Sequence, residues 1–291
     1  MTKRNLVVVR AGDKSLHPHW VAGEGERNWE LVVSYFGDDP ELYRDGEAPR
    51  IDAKGPKWQG LAALFRRHPE FLQNYDYIFL PDDDLMMAKA DVNRLFDICR
   101  AYRLQAAHPA LSANSYFSHL TALRNSATRL RFTNFIELMA PCLSAEMLAA
   151  TKDYFGKTVS GWGLERAWAK RAGQTGMAII DEVTVFHTRP VGGPNYKILR
   201  EKGISPWEEL RALCRELGVE ARPEIKTYSA VDPGNRRLGR APRDRLFDLR
   251  LGLGWLPALK DTPSQKVLAR RMAGYAYKSI FQLPDRVAER A

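Results

Sequence analysis

Short apolar runs and amphipathic stretches follow one another along most of the chain, and they predict its secondary structure. Short apolar runs that are bounded by Gly, Pro and Asp are typical of buried strands. They occur at residues 5–10, 29–36, 75–80, 135–140 and 177–187. Apolar side chains spaced three and four residues apart predict amphipathic helices. They occur at residues 58–65, 92–102, 163–171 and 206–217.

The order of these segments favours an α/β fold with a mostly parallel sheet flanked by helices. Strands that alternate with helices build such sheets, because each crossover helix packs on a face of the sheet. Ligands then bind beyond the carboxyl ends of the strands. Past about residue 225 the pattern loosens. We therefore expect one α/β domain over residues 1–200 and a helical, basic C-terminal extension over residues 201–291.

Composition places the chain among ordinary globular proteins, with 291 residues, 45% hydrophobic and 27% charged. No apolar run approaches the roughly 18 residues that cross a bilayer. The first apolar run is too short for a signal-peptide core, so we expect a cytoplasmic protein. The three cysteines, which lie far apart, are expected to be free thiols. Residues 236–278 hold eleven Lys/Arg against three Asp/Glu, most of the net charge of +9.

Three consecutive carboxylates, Asp82, Asp83 and Asp84, directly follow the predicted strand at 75–80. Neighbouring like charges repel one another, and a divalent cation would neutralise them. Mg²⁺ and Mn²⁺ accept carboxylate ligands and leave positions open for phosphate. In an extended segment the side chains of Asp82 and Asp84 share one face. The acidic triplet (Asp82, Asp83 and Asp84) therefore predicts a metal site, and the alternative is a solvated acidic loop that caps the following helix.

Five segments in order resemble the family of unknown function DUF707: KWQGLAALF, YDYIFLPDDDLMM, FIELMAPCLS, SGWGLERAWAK and IIDEVTVFHTRPVGG. The resemblance extends over about residues 5–193. That family in turn resembles glycosyltransferases of the GT-A fold, whose hallmark is an Asp-x-Asp metal motif after a strand. The resemblance implies that Asp82 and Asp84 bind Mn²⁺ or Mg²⁺ and that Asp83 lies beside the donor phosphates.

A second motif, Gly161 to Glu165, carries a Trp between two glycines. Glycines permit close approach of a ligand, and the face of Trp162 suits the apolar side of a sugar ring. The motif resembles the Trp-Gly-Trp-Gly-(Glu/Asp) region of β-galactosyltransferases, although Ser160 departs from that pattern. The resemblance implies that Trp162 and Gly163 contact substrate and that Glu165 is the catalytic base. The alternative for Glu165 is a first-turn acid favoured by the helix dipole.

Two residues of the predicted strand at 177–187 have competing interpretations. His187 ends this strand, and its imidazole is a good ligand for Mn²⁺; the resemblance implies that it completes the metal shell. The alternative is a surface or hydrogen-bonded histidine. Asp181 is a candidate for binding sugar hydroxyls or for the base, and its alternative is a turn acid between two short strands.

Residues near two predicted element ends are candidates for holding the nucleotide. Arg10, Gly12 and Asp13 follow the first strand, where the base and ribose bind in this type of fold. Lys57 and Trp58 precede the first long helix and are candidates for contacts to phosphate and base. Alternatively, Lys57 is a surface charge whose aliphatic stem lies on apolar surface, and Trp58 is a core aromatic residue.

These observations lead to one expected function and two alternatives. We expect a metal-dependent glycosyltransferase that moves a sugar from a nucleotide-diphosphate donor to a hydroxyl of a glycan or lipid-linked acceptor, with inversion. The alternatives are a non-catalytic sugar- or nucleotide-binding protein and a metal-dependent nucleotidyltransferase or phosphohydrolase. The basic and apolar segment from residue 243 onward either contacts an anionic membrane from the cytoplasmic side or packs on the domain. No nucleic acid partner is expected, since no recognised binding motif accompanies the charge.

Overall fold

The structure is a computed structural model that describes residues 5–192, 194–239, 245–263 and 265–281. Residues 240–244, at the start of the expected membrane segment, lie outside the described residues. No helix within the described ranges is long and apolar enough to cross a membrane.

Strands and helices alternate along the first two thirds of the chain. The strands there are β1 (Asn5–Ala11), β2 (Glu30–Tyr35), β3 (Arg50–Asp52), β4 (Tyr77–Phe79), β5 (Leu85–Met86), β6 (Ala106–Leu111), β7 (Leu130–Thr133), β8 (Cys142–Ser144) and β9 (Met177–His187). The helices are α1 (His17–Val21), α2 (Lys57–Arg67), α3 (Glu70–Gln73), α4 (Lys89–Ala101), α5 (Ala145–Phe155) and α6 (Leu164–Ala172), with a 3-10 turn at Leu120–Ala122. The rest of the chain forms α7 (Pro194–Glu201), α8 (Pro206–Leu217), β10 (Thr227–Val231), β11 (Arg237–Gly239), α9 (Arg245–Gly254), α10 (Ala258–Asp261) and α11 (Gln265–Phe281).

One mixed sheet forms the centre of the molecule, with strand order β11-β10-β7-β9-β6-β8-β4-β1-β2-β3. Strands β1, β2, β3 and β4 are parallel neighbours, and β6 is parallel to β9. Strands β7, β8 and β11 run against the common direction of the others. The short β5 pairs antiparallel with the end of β9. The α/β class with a mostly parallel sheet is thus confirmed.

Helices cover both faces of the sheet, because the sheet strands are apolar on both sides. Val7 and Val9 of β1 face a core that includes residues of α4, α9 and α11. Leu6 and Val8 face the opposite core, which includes residues of α2, α5, α6 and α8. Successive side chains of a strand point to opposite faces, and this alternation assigns each valine and leucine of β1 to its layer.

Two segments differ from the expectation. Residues 135–140, predicted as a strand, form a loop whose carbonyl groups bond to the acidic triplet and its neighbours rather than to a strand. The segment after residue 225 is not wholly helical, because β10 pairs with β7 and extends the sheet. Pairing between residues about one hundred positions apart leaves no local periodic signal that would have revealed it. The division of the chain at residue 200 stays a prediction.

Candidate active site

The acidic triplet lies at the carboxyl edge of the sheet, between the ends of β1 and β9. It follows β4 after Leu80 and Pro81, and a backbone bridge joins Asp82 to Arg10 at the end of β1. The next residues form β5, in which Leu85 pairs with His187 of β9. The short β5 therefore brings the imidazole and the carboxylates together, although about one hundred residues separate them in the chain.

Asp84 and His187 form an acid–imidazole pair in which one carboxylate oxygen has no hydrogen-bond partner among the described residues. The Nε2 atom of His187 lies 3.5 Å from Oδ2 of Asp84, while Nδ1 donates to the carbonyl of Tyr116 at 2.7 Å. That hydrogen bond fixes the ring and leaves Nε2 directed at the carboxylate, as in metal-ligating histidines. The other oxygen of Asp84, Oδ1, is buried and has no hydrogen-bond partner among the described residues. A buried carboxylate oxygen without a partner is costly, and an ion at this position would remove that cost.

The proximity of these groups shifts their pKa values. Burial lowers the pKa of His187, but the carboxylates of Asp84 and Asp82 and the carbonyl of Tyr116 outweigh it, so the net direction is upward. Burial raises the pKa of Asp82, and Asp84 adds to the effect while Lys57 opposes it. The site therefore favours holding positive charge, from a proton or from a metal cation.

A hydrogen bond to one of its oxygens orients the carboxylate of Asp82, and likewise that of Asp83. Lys57 donates to Oδ1 of Asp82 at 2.6 Å and to the carbonyl of Leu138 at 3.0 Å. The backbone amide of Gly12 donates to Oδ2 of Asp83 at 2.8 Å. Burial raises the pKa of Asp83 to about 6, and the hydrogen bond from Gly12 opposes the shift. Two of the predicted nucleotide-site residues thus contact the triplet itself.

Arg189 is an exposed cation at the same edge. Its guanidinium lies 3.5 Å from Oδ1 of Asp83 and donates to the carbonyl of Lys14 at 2.6 Å. Its side chain is 42% exposed, so a ligand can reach it from solvent. The sequence interpretation did not include Arg189, although its position two residues after His187 was a usable signal.

The two charged residues at the end of β1 are already engaged. Arg10 is buried and donates to the Ser34 hydroxyl at 2.9 Å and to the Gly55 carbonyl at 2.7 Å. Burial lowers its pKa to about 10. Asp13 accepts a short hydrogen bond from Tyr35, which lowers the pKa of its carboxyl group. Arg10 is therefore held inside the protein, whereas Asp13 is exposed to solvent beside Tyr35.

Trp58 has the position of a core aromatic, the alternative considered from the sequence. It is buried, and its ring packs edge-on against Phe155 at 4.8 Å between centroids. Gly161 has a positive φ, and any side chain there would collide with the indole nitrogen of Trp58. This close contact places the Gly-Trp-Gly loop (residues 158–163) against Trp58, the residue that follows Lys57 in α2.

Trp162 lies in a half-buried aromatic group at the surface of this loop. Its indole donates to the Tyr196 hydroxyl at 3.1 Å, and its ring packs edge-on against Trp207 at 5.2 Å between centroids. Tyr196 and Trp207 belong to α7 and α8 and were not predicted as site residues. Aromatic rings of this kind present apolar faces that suit sugar rings.

Glu165 lies at the start of α6 and is buried. Its Oε2 atom accepts the backbone N–H of Gly163 at 3.0 Å, and Oε1 lies 3.4 Å from Nε of Arg166. Arg166 is only 3% exposed, and none of its guanidinium nitrogens has a hydrogen-bond partner within the described part of the chain. The ring of Phe135 lies beside that guanidinium, 5.8 Å away. Arg166, next to Glu165, therefore lies beside the loop at 135–140, in which the Met139 carbonyl accepts from the Asp82 amide.

A carboxylate from α8 holds the Gly-Trp-Gly loop in place. Glu209 accepts hydrogen bonds from the amides of Val159 and Ser160 and from the hydroxyl of Thr158, at 2.8 to 2.9 Å. The segment after residue 200 thus contributes to the position of Trp162. No motif in the sequence indicated this role.

Asp181 lies in a closed polar cluster rather than in an open site. Both of its oxygens accept from the guanidinium of Arg131, at 2.7 and 2.8 Å. The backbone N–H of Asn125 and the hydroxyl of Thr128 also donate to its oxygens. Both ends of the ion pair are fully buried. Its oxygens are already engaged by protein donors, so its position is that of a structural acid inside β9.

The comparisons with known proteins add a family match to this geometry. Residues 53–134 match the family described as protein of unknown function (DUF707). The predicted resemblance is confirmed over this segment, which includes Lys57, Trp58 and the acidic triplet. Glu165 and His187 lie outside it. No curated protein matches the chain.

Two solved structures are similar to this chain at low identity. TarS from S. aureus has a TM-score of 0.45 and 10% identity, and the match covers 74% of this chain and 39% of TarS. A mycobacterial protein has a TM-score of 0.46 and 15% identity, with 82% of this chain and 84% of that protein covered. The chain thus spans well under half of the length of TarS.

Proposed function

We propose that this protein is a metal-dependent glycosyltransferase that moves a sugar from a nucleotide-diphosphate donor to a hydroxyl acceptor. The observation that carries the proposal is the Asp84–His187 pair, with a buried carboxylate oxygen that lacks a partner. Asp82 lies beside it, the glycine-bordered Trp162 lies on the Gly-Trp-Gly loop, and the buried Glu165 lies in the first turn of the helix that follows this loop. The candidate cation site at the sheet edge and the aromatic group around Trp162 support transfer between a diphosphate donor and a glycan or lipid-linked acceptor.

The chemistry of the donor set fits Mn²⁺ or Mg²⁺. Among the described residues, no group of three or more His, Cys, Asp or Glu side chains is placed to hold a metal ion without further ligands. Asp84 and His187 would hold the ion, with Asp82 through the oxygen that Lys57 does not contact. One or two carboxylates with diphosphate oxygens is a common way of holding Mg²⁺. When bound, such an ion neutralises negative charge on the leaving diphosphate.

The donor would lie along the ends of β1, β2 and β4. Arg189, exposed beside Asp83, provides a positive charge for the diphosphate. Phe36 follows β2 with 39% of its surface exposed, and its ring lies over the Arg10 guanidinium at 5.4 Å. A nucleotide base can stack on an exposed ring of this kind. Lys57 holds Asp82 in place in this scheme, and Trp58 supports Lys57 from the core.

The acceptor would bind over the Gly-Trp-Gly loop. Trp162 and Gly163 would contact the acceptor sugar, and Glu165 would take the proton of the attacking hydroxyl. As the acceptor oxygen bonds to the anomeric carbon, the bond from that carbon to the diphosphate oxygen breaks, and the diphosphate leaves with its electron pair. Direct attack of this kind inverts the anomeric configuration. Arg166 is buried beside Glu165, and its Nε atom, 3.4 Å from Oε1, would help to hold that carboxylate in position.

Thermal stability of the full chain against a panel of nucleotide diphosphates and nucleotide sugars, with and without Mn²⁺ or Mg²⁺, tests the proposal. A ligand at a hundred times its dissociation constant stabilises the folded state by about 2.7 kcal/mol. We expect a metal-dependent rise in Tm with one nucleotide, lost in Asp84→Asn and retained in Asp153→Asn, an exposed acid on α5. No rise with any nucleotide would overturn the donor site.

Product analysis then separates the rival functions. Sugar transfer that requires acceptor supports the proposal. Nucleotide binding without any turnover would indicate a sugar- or nucleotide-binding protein. Release of nucleotide in the absence of acceptor, at the rate seen with acceptor, would indicate a phosphohydrolase.

A further inference from the structure

Exposed apolar side chains are concentrated at one end of the chain. Eight large hydrophobic residues of the described ranges are exposed, and three of them, Phe36, Met86 and Tyr116, lie near the candidate active site. The other five belong to the last described segment: Leu249, Leu253, Leu256, Val267 and Tyr277. Single exposed apolar residues are ordinary, whereas a cluster indicates an interaction surface.

Helix α9 is apolar on two opposite faces. Its inner face packs in the core through Phe247, Leu251 and the following Trp255, which are at most 5% exposed. On the outer side, Leu249 and Leu253 of α9 and Leu256 in the turn after it form the leucine stripe, with 47% to 56% of each residue exposed. A helix on the surface of a globular protein normally has a polar outer face. The core packing of α9 therefore does not explain the leucine stripe.

The inner face also fixes α9 firmly, so the stripe has a defined direction. The side-chain amide of Asn125 donates to the Leu251 carbonyl at 2.8 Å, and the Trp255 indole donates to the Leu123 carbonyl at 3.2 Å. A side chain at Gly254 would collide with Asn125. These contacts hold the inner face against the domain, and the leucine stripe points to solvent as a consequence.

The helices that follow α9 carry more exposed cations than acids, with Asp261 as an exposed acid of α10. Lys260, Lys266 and Arg270 are exposed on α10 and α11. Helix α11 packs beside α9, where the Tyr275 ring lies over Gly252 and edge-on to Trp255 at 5.0 Å between centroids. Apolar side chains next to Lys and Arg are the combination that binds an anionic bilayer, since the leucines enter the acyl boundary and the cations meet lipid phosphates.

We propose that the leucine stripe and its basic neighbours dock this protein on the surface of an anionic lipid bilayer. A second copy of the chain fits less well, because a symmetric contact would bring like charges together. Nucleic acid would bind the cations through its phosphates, but this contact would not bury the three exposed leucines. The proposal does not depend on the proposed transferase activity, and it gives the alternative of membrane contact a structural basis.

Flotation of the full chain with phosphatidylcholine vesicles, with and without phosphatidylglycerol, tests the docking surface. We expect binding only to the anionic vesicles, weakened when salt rises from about 0.1 M to about 1 M because the screening length falls from about 10 Å to about 3 Å. Leu249→Ser combined with Leu253→Ser should weaken partitioning at least roughly tenfold. Lys266→Gln combined with Arg270→Gln should weaken it by roughly tenfold or more, at about fivefold per charge.

A matched control separates local charge from total charge. Arg66→Gln combined with Arg67→Gln removes two exposed cations from α2, on the opposite face of the sheet, and should change partitioning less than roughly twofold. Asp84→Asn should bind vesicles as the unchanged protein does, so failure of the transferase proposal leaves this test intact. Equal binding to both vesicle types, no binding, or unchanged binding by the leucine variant would overturn the proposal. Concentration-dependent self-association that the leucine variant abolishes would assign the surface to a second copy instead.

Discussion

Strand β9 carries two buried acid–base clusters that differ in how completely they are satisfied. In the middle of the strand, Asp181 and Arg131 are fully buried, and both oxygens of the carboxylate accept from the guanidinium. At the end of the strand, His187 lies 3.5 Å from Asp84, and Oδ1 of that carboxylate has no partner among the described residues. The first cluster is closed, and the second has capacity for a ligand.

This difference separates structural from functional acids better than the residue types do. Removing one partner of a closed pair leaves the other charge buried and unpaired, which costs stability. Removing a carboxylate from an open cluster relieves repulsion and desolvation instead, and the cost falls on ligand binding. The two clusters should therefore respond to substitution in opposite ways.

The largest expected effect is on stability at the closed cluster. Asp181→Ala leaves Arg131 unpaired in the core, and we expect the free energy of unfolding to fall by about 3–5 kcal/mol. Tm should fall by roughly 6–10 °C. Urea denaturation and thermal melts measure both. Glu182→Ala, at the adjacent partly exposed acid that pairs with Arg94 and Arg129, is the matched control and should cost no more than about 1 kcal/mol.

The same melts sharpen the contrast with the open cluster. Asp84→Asn, without added metal or nucleotide, should leave the free energy of unfolding unchanged within about 1 kcal/mol or raise it. A loss as large as that of Asp181→Ala would show that Asp84 is a structural acid too, and the distinction between the clusters would fail.

The next effect is on turnover at Glu165, which has features of both clusters. Its Oε2 accepts the Gly163 amide, as a structural acid would, while its Arg166 neighbour lacks hydrogen-bond partners among the described residues. Glu165→Gln keeps the acceptor for that amide and removes the proton acceptor. We expect kcat to fall roughly a hundredfold or more with KM for the donor little changed.

Glu146→Gln is the control for this substitution, because Glu146 is an exposed first-turn acid of α5. Its turnover should equal that of the unchanged enzyme. If Glu165→Gln also retains turnover, the residue is a first-turn helix acid and another group takes the proton.

The sequence predicts the frame of the molecule and the position of the acidic triplet, for physical reasons. Buried strands need apolar runs, and the run at 75–80 ends in three carboxylates, so the triplet had to lie at a strand end. The sequence does not distinguish Asp84 from Asp181, because partners such as Arg131 lie fifty residues away and leave no periodic trace.

The apolar run at 135–140 is a second case in which distant contacts decide the local structure. Its composition predicts a strand, yet its backbone groups bond elsewhere. The carbonyl of Leu138 accepts from Lys57, and that of Met139 accepts from the Asp82 amide at 2.6 Å. Tertiary contacts of the site override the local preference, as they often do for short apolar segments.

The smallest expected effect is on the pH dependence of the free energy of unfolding, and it arises from His108. This residue contrasts with His187, because the pKa of His108 is lowered and that of His187 is raised. His108 lies in β6, is fully buried, and neither ring nitrogen has a hydrogen-bond partner among the described residues. Burial lowers its pKa to about 4, although the charge of Glu137 opposes the shift. In the unfolded chain its pKa is about 6.5, so between about pH 6.5 and pH 4 the unfolded state binds more protons than the folded one. Stability from this residue is therefore complete above about pH 6.5 and is lost as the pH falls.

His108→Leu removes this titration, and replacing an unpartnered polar ring with an apolar side chain should cost little at neutral pH. From pH 7.5 to pH 5.5 the free energy of unfolding of the unchanged protein should fall by about 1 kcal/mol more than that of the variant. Urea denaturation at a series of pH values measures the difference. His19→Leu, at an exposed histidine of α1, should leave the pH dependence close to that of the unchanged protein. Equal slopes for His108→Leu and the unchanged protein would mean that His108 has a proton-accepting partner, and that it belongs with the satisfied polar groups of the core.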